Sequence, residues 1–338
     1  MIQRKKLSKK LLILIITACF IAVFAAAILI TNAFIPVKYL SAYCVAADKN
    51  KQGDLRVTFL NVGHGDCTLV EFPDGKTLLI DGGNGRYTTN LSVLRLLNCR
   101  GVDKIDYLVC TSVRGENCGG LAEVLKYKSV GTVYMPYCTN TNITGDYRSF
   151  CEAVKASLQN GTEVKYCEYG EGVFESGYSF CFLAPSVRSN PEGEYAALNK
   201  SPSNANISNA SAVMWIECGK TRLLFLGNLL TDKLNSLLNA GKNGMLEING
   251  KTVDLRLCNI VKVANHGDKA SACAELYDFI LAEAAIISVG ENARGCPANS
   301  VISDVTSANA ELYRTDFNGT VTVKSGGGEK AEIFKEKE

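Results

Sequence analysis

The chain has 338 residues, of which 47% are hydrophobic and 21% charged, proportions that exclude wholesale disorder. Its formal net charge of +2 arises at the N-terminus, where Arg4, Lys5, Lys6, Lys9 and Lys10 stand before residue 35 with no acid among them. Without those five, 31 bases face 34 acids, and no basic stripe of the kind that nucleic-acid binders carry is visible.

Leu11 to Ile30 is an apolar run interrupted only by Thr17, long enough at the helical rise to span a bilayer core. The basic residues before it predict a cytoplasmic segment 1–10, a transmembrane anchor at 11–30 and an extracytoplasmic remainder. A cleaved signal peptide, with Ala25-Ala26-Ala27 as its small-residue site, is the alternative. The run exceeds an ordinary signal core, which favours an uncleaved anchor. Ile16-Thr17-Ala18-Cys19 also looks like a lipoprotein box, but the residues after Cys19 are mostly apolar rather than polar.

Residues 31–53 read as a stalk, and 54–330 as one domain. Runs 55–62, 67–72 and 76–81 are β-rich and broken by Gly-Asp and Pro-Asp-Gly turns. Leu91–Leu97 suits a helix and 105–112 a buried strand. A further helix, then the strand TVYMPY, precede helical spacing over Tyr147–Leu158. EVKYCEYG and YSFCFLAP read as strands, and the Asn-, Ser- and Pro-rich stretch 187–210 as a long surface loop. A hairpin turns at Gly219-Lys220, and a helix covers about 230–239. NIVKVANHG is a strand ending in a polar turn. Cys273–Ala284 suits a helix, AAIISVG a buried strand and Thr320–Val323 a late strand. Strand hairpins with interspersed helices predict an α/β (α+β) sandwich. The 14 cysteines include no C-x-x-C pair, which argues against a zinc ribbon or thioredoxin-type site. Cys110, Cys181 and Cys218 lie inside apolar strands, where a thiol behaves as a small hydrophobe.

FLNVGHGDCTLVEFPDGKTLLIDGG resembles the opening of the metallo-β-lactamase-like outer domain of ComEC-type competence proteins, which serve DNA uptake in bacteria. KIDYLVCTS with Gly119-Gly120, LLFLGNL, VKVANHG, AAIISVGEN and ELYRTDFNGTVTV continue the resemblance in order over about 55–325. It implies a four-layer αββα sandwich with a site at one edge of the paired sheets. The channel-forming segments of full-length relatives have no counterpart here.

That family holds zinc or manganese on T-H-x-D-x-D-H-x-G-G, where the metal activates water. Here the aligned stretch is Thr111-Ser112-Val113-Arg114-Gly115-Glu116-Asn117-Cys118-Gly119-Gly120. Ser112 stands for the first His, Arg114 for the first Asp, Glu116 for the second Asp and Asn117 for the last His. Arg114 would bring a permanent cation to a dication's place. The family's T-G-D becomes Leu226-Gly227-Asn228, its H-H-G-S becomes Asn265-His266-Gly267-Asp268, and its G-H-P becomes Gly295-Cys296-Pro297. The chain has two histidines in all, His64 and His266. Cys118 and Cys296 are the residues with thiols available to replace lost ligands.

No resident cofactor is expected, with zinc or manganese as the candidates if residual binding survives. Asp81, Glu116 and His266 are the remaining weak catalytic candidates. His64 and Asp66 suit structural roles beside tight turns, and Gly82-Gly83 and Gly119-Gly120 serve backbone geometry. The expectation is a membrane-anchored pseudo-hydrolase that acts by binding. Its alternatives are a divergent phosphodiesterase-like hydrolase and an accessory factor in DNA uptake, where nucleic acid would be the partner.

Overall fold

The computed structural model describes residues 9–34, 37–43, 45–326 and 331–337. Residues 1–8, most of the expected basic segment, and Cys44 lie outside them. Two sheets stack face to face. The first has strands in the order Glu332–Lys335, Val321–Gly326, Asp54–Phe59, Thr68–Glu71, Thr77–Ile80, Lys104–Val109, Ser129–Met135 and Glu163–Tyr166. The second runs Glu311–Arg314, Ala284–Ile287, Ile260–Lys262, Thr221–Phe225, Val213–Cys218, Tyr178–Ala184 and Gly172–Phe174.

The period-2 alternation of the strands builds the layers. Leu55, Val57, Phe59, Leu78 and Ile80 face the second sheet, where Met214, Ile216, Leu223 and Phe225 meet them. Leu69 and Leu79 point the other way, under Val93, Leu97, Leu121, Val124, Phe150 and Val154. These come from helices Tyr87–Arg100, Leu121–Tyr127 and Gly145–Ser157. Thr144 caps the last by accepting from the Tyr147 N–H, and Gly101 closes the first in a left-handed cap. On the far side, Val213, Trp215 and Leu224 lie under Leu234, Leu238, Leu276, Val301 and Val305. Those belong to helices Thr231–Lys242, Ala274–Ile280 and Asn299–Ser307. The four-layer αββα sandwich is therefore observed.

Several boundaries differ from expectation. Strands expected to reach 62, 81 and 112 stop at Phe59, Ile80 and Val109, because the residues beyond are the site loops. The helix expected from Cys273 to Ala284 ends at Ile280, where Leu281 takes φ 52°. The stretch 187–210 is not a plain surface loop. It forms helices Glu194–Lys200 and Asn204–Asn209. Tyr195 and Leu198, three residues apart, bury themselves in the first sheet's outer core with Ile207.

Lys9–Phe34 forms one helix of 26 residues. Its described side chains from Ile13 to Ala27 are exposed, while those at 11–12 and 28–34 are not described. Among the described residues no helix is long and apolar enough to cross a membrane. Part of the expected stalk lies on the domain. Tyr39 and Ala42 are buried against Leu94, and the Tyr39 ring stacks on Tyr87 at 5.6 Å and meets Tyr127 edge-on at 5.8 Å. Asp48 pairs with Arg56 at 3.0 Å and with Arg100. Tyr39→Ala should therefore destabilise the domain by about 3 kcal/mol, as a large buried side chain does on truncation. Chemical denaturation checks this, and an unchanged midpoint would show that 37–43 does not contribute to the folded core.

Candidate functional site

The loops that leave Phe59, Ile80, Val109, Phe225, Lys262 and Ile287 meet at one edge of the two sheets. They approach backbone to backbone. A side chain at Gly82 would lie 2.8 Å from the Leu121 nitrogen, and one at Gly120 would collide with the Gly82 carbonyl. Three non-glycine residues here hold left-handed backbone: Asp81 (φ 60°), Asn265 (φ 48°) and His266 (φ 57°). Such strain persists only where surrounding contacts impose it.

Asp81 is 2% exposed. Its Oδ1 accepts from the Thr111 N–H at 2.8 Å, and its Oδ2 accepts from Thr111 Oγ1 at 2.6 Å and Asn117 Nδ2 at 2.8 Å. Asn117 Nδ2 also reaches Asp66 Oδ2 at 3.3 Å. A carboxylate oxygen accepts, so Asn117 must present its NH2 to Asp81 and its oxygen to the other side. That oxygen accepts from Asn228 Nδ2 at 2.8 Å, which in turn fixes Asn228 and leaves its Oδ1 buried with no donor among the described residues.

Asp66 sits in a turn of the first sheet and Lys262 at the end of a strand of the second. Their side chains, 11% and 6% exposed, pair at 2.7 Å. Burial pushes the Asp66 carboxyl upward, but Lys262 and then His266 outweigh it and hold the group below its ordinary value. Burial, then the charge of Asp66, raise Asp81 to about 7 against the lowering bonds from Thr111 and Asn117. Asp66, Asp81, Thr111, Lys262 and Phe225 help to line a cavity of about 20 Å3, room for a single water.

His266 is fully buried, with Nδ1 2.9 Å from the Ser288 carbonyl. A carbonyl only accepts, so Nδ1 carries the hydrogen. In the neutral ring Nε2 is then a lone pair, and it has no donor among the described residues. The His64 ring lies 4.6 Å from it. Burial, then His266, lower the His64 pKa to about 4.

At the mouth, Arg294 bridges Glu116 at 3.3 Å and Asp268 at 3.1 Å. Beside Asp268, Cys296 Sγ lies 3.8 Å from the carboxylate, and burial raises its thiol to about 11. Arg114 does not take the dication's place expected from the sequence. Its guanidinium donates instead to Ser208 Oγ at 2.8 Å and the Asn204 carbonyl at 3.0 Å, on the helix that the sequence left as a loop. Above His64 opens a cleft of about 620 Å3.

The three catalytic candidates are not assembled into one acid–base group. Asp81 is enclosed by Thr111 and Asn117, Glu116 is held by Arg294 at the mouth, and His266 turns to Ser288 with Asp66 as its nearest carboxylate at 3.7 Å. Among the described residues, no group of three or more His, Cys, Asp or Glu side chains is placed to hold a metal. At the positions singled out by the resemblance, the residues present do not fit a zinc or manganese ion. Asn117 and Asn228 are bonded to each other, Ser112 Oγ lies 3.4 Å from the Arg114 N–H, and Cys118 is buried in the outer core, away from the mouth where Cys296 sits. The pairing of Asp66, read from the sequence only as a turn residue, with Lys262 is what sequence reasoning missed. A lone lysine between Ile260-Val261 and Val263 in a buried strand was the available signal, since a buried ammonium needs a partner.

The molecule is thus a mixed α/β sandwich with a buried polar site at the sheet edge. No family model matches the chain. ComE operon protein 3 of Bacillus subtilis (strain 168) is 22% identical over 281 residues, covering 78% of this chain and 32% of that protein. The chain therefore spans about a third of that relative's length. The metallo-β-lactamase-fold protein YhfI from Bacillus subtilis superposes with a TM-score of 0.48 at 9% identity, over 80% of this chain and 99% of its own. Zinc-bound PqqB from Methylobacterium extorquens gives 0.47 at 9% identity, over 78% and 99%. The sandwich architecture stands on the strand order and layering of this chain itself.

Lys262→Met should cost about 3–5 kcal/mol by leaving Asp66 buried and unpaired, and adding Asp66→Asn should recover part of it. Equal stability of wild type and Lys262→Met in denaturant would refute the pairing. Asp81 titrates with a folded value near 7 against an ordinary 3.8, so the folded state binds its proton more tightly. Its contribution falls as pH rises from about 4 to 7. His64, lowered from 6.5 to about 4, acts in the opposite sense. The stability gap between Asp81→Asn and wild type should therefore shift in favour of the variant across that window, and parallel pH curves would exclude the effect.

Proposed function

We propose that the chain is an extracytoplasmic binding domain of the ComEC outer-domain type, held at the membrane by its apolar run Leu11–Ile30 and lacking metal-dependent hydrolysis. The observation that carries this reading is the pair Asn117–Asn228. Two positions where the resemblance expects ligands are amides bonded to each other at 2.8 Å, and neither an amide oxygen nor an amide nitrogen holds zinc well. Arg114, bonded to Ser208, and Arg294, bonded between Glu116 and Asp268, add cations to the rim. The basic residues Arg4 to Lys10 support the cytoplasmic orientation of the N-terminus. The cleft above His64 supplies the binding surface.

Metal analysis of the purified full chain tests the loss of chemistry. The expected result is no stoichiometric zinc or manganese, and no cleavage of bis-aryl phosphates or DNA with manganese added. Stoichiometric metal that disappears in His266→Ala would restore the hydrolase reading.

A further inference from the structure

The chain enters the domain at the edge that carries the cleft. The helix Tyr87–Arg100 begins at that edge, just after the loop that leaves Ile80, and its N-terminal end supplies Arg86, Thr88, Thr89 and Ser92 to the cleft wall. The segment that follows the apolar run is pinned at the same place. The Tyr87 hydroxyl donates to the Lys38 carbonyl, and the Tyr39 ring stacks on Tyr87. From there the chain follows the helix toward its other end. The Ala42 carbonyl accepts from Asn98 Nδ2 at 2.9 Å, the Asp48 N–H donates to the Cys99 carbonyl at 2.8 Å, and Asp48 pairs with Arg100. The chain then turns into the first sheet at Asp54.

These contacts limit how the domain can stand on a membrane. Residues 31–38 separate the apolar run from the pinned Lys38 carbonyl, and 31–34 are helical. The helical rise over 31–34 and full extension over 35–38 give a reach of about 20 Å. The strand Lys104–Val109 by itself is about 20 Å long, and loops extend the sandwich beyond it at both ends. The tether is therefore too short for the domain to turn over and rest on its far edge.

The cleft edge also presents apolar side chains. Leu40 and Tyr87 are exposed beside the tether. Phe317 is exposed on the turn after Glu311–Arg314. That strand runs parallel to Ala284–Ile287, and Thr315 Oγ1 accepts from the Val289 N–H at 2.9 Å, so the turn belongs to the same edge. Exposed aromatic and aliphatic groups of this kind seat in a membrane interface. The far edge has exposed apolar residues of its own, Phe174, Leu257 and Leu281. Exposure does not choose between the two edges; the tether does. The exposed charges near the cleft are mixed, Lys38, Arg86 and Arg294 with Asp146 and Glu291, so attraction to an anionic surface is not what seats this edge.

We infer that the edge carrying the cleft docks on the lipid surface of the membrane that holds the anchor, with Leu40, Tyr87 and Phe317 at the interface. The cleft then opens onto the headgroup layer. The inference rests on the anchored reading above and adds the surface that the domain meets.

The chain has one tryptophan, Trp215, which is buried and serves as an internal reference. Leu40→Trp, Phe317→Trp and Leu257→Trp each add a second indole at an exposed position that the fold tolerates. The full-length variants are reconstituted in phosphatidylcholine vesicles with bromine on the upper acyl chain, a short-range quencher. The added emission of Leu40→Trp and Phe317→Trp should shift to the blue and be mostly quenched, equally at low and high salt. Leu257→Trp, at the far edge, should keep its emission. Unquenched emission from both cleft-edge variants in vesicle-bound chain would overturn the docking and leave the anchor in place. Quenching of Leu257→Trp to the same extent, or release of the cleft-edge quenching by salt, would overturn it as well. A chain that fails to float with the vesicles would instead refute the anchored reading, and the docking with it.

Discussion

The buried ion pair between Asp66 and Lys262 joins the two sheets at the edge where the site lies. Asp66 belongs to a turn of the first sheet and Lys262 to a strand of the second, and their charged atoms stand 2.7 Å apart. Taking both ions out of water costs several kcal/mol each, so the pair persists only with close geometry and further polar contacts. Asn117 Nδ2 at 3.3 Å and the His266 ring supply those contacts to Asp66. The consequence is positional. With Asp66 and Asp81 both occupied as acceptors, Asn117 has one allowed orientation, and so does Asn228.

A metal ion in such a place would tie several loops through one centre. In this chain the loops are tied by separate bonds. The amide pair Asn117–Asn228 links the loop after Val109 to the loop after Phe225, and Arg294 links the loop after Ile287 to Glu116 and Asp268. The backbone strain at Asp81, Asn265 and His266 remains. Strained loops held by amides and guanidinium groups keep the shape of the edge while changing what it presents.

Much of this was legible in the amino-acid order. Alternating apolar residues such as Leu55, Val57 and Phe59 mark half-buried strands, and the Gly pairs at 82–83 and 119–120 mark close backbone approach. The resemblance also pointed to Asn117 and Asn228, and these two lie bonded to each other at the sheet edge. What was hidden depended on tertiary pairing. Asp66 reads as a turn residue because turn aspartates are common, and only the sheet stacking brings Lys262 to it. The helix around Tyr195 was masked by its Asn, Ser and Pro neighbours, although Tyr195 and Leu198 kept helical spacing. Arg114 was placed by alignment at a metal's position, but its guanidinium reaches the unforeseen helix, where Ser208 and the Asn204 carbonyl accept from it.

The cysteines bear on where such a domain can live. The described thiols, thirteen in number, are all free, an unusual content for a domain outside the cytoplasm, where oxidation favours disulfides. Burial resolves the tension for eight of them. Cys67, Cys110 and Cys167 are 0% exposed, and desolvation pushes their thiols well above the usual range. Oxidation and exchange proceed through the thiolate and need access, and these groups have neither. They fill the layers around Asp81 as small hydrophobes. A sandwich that hides most of its sulfur inside its layers needs no reducing compartment to keep those thiols free, so its cysteine content does not oppose an anchored domain facing outward.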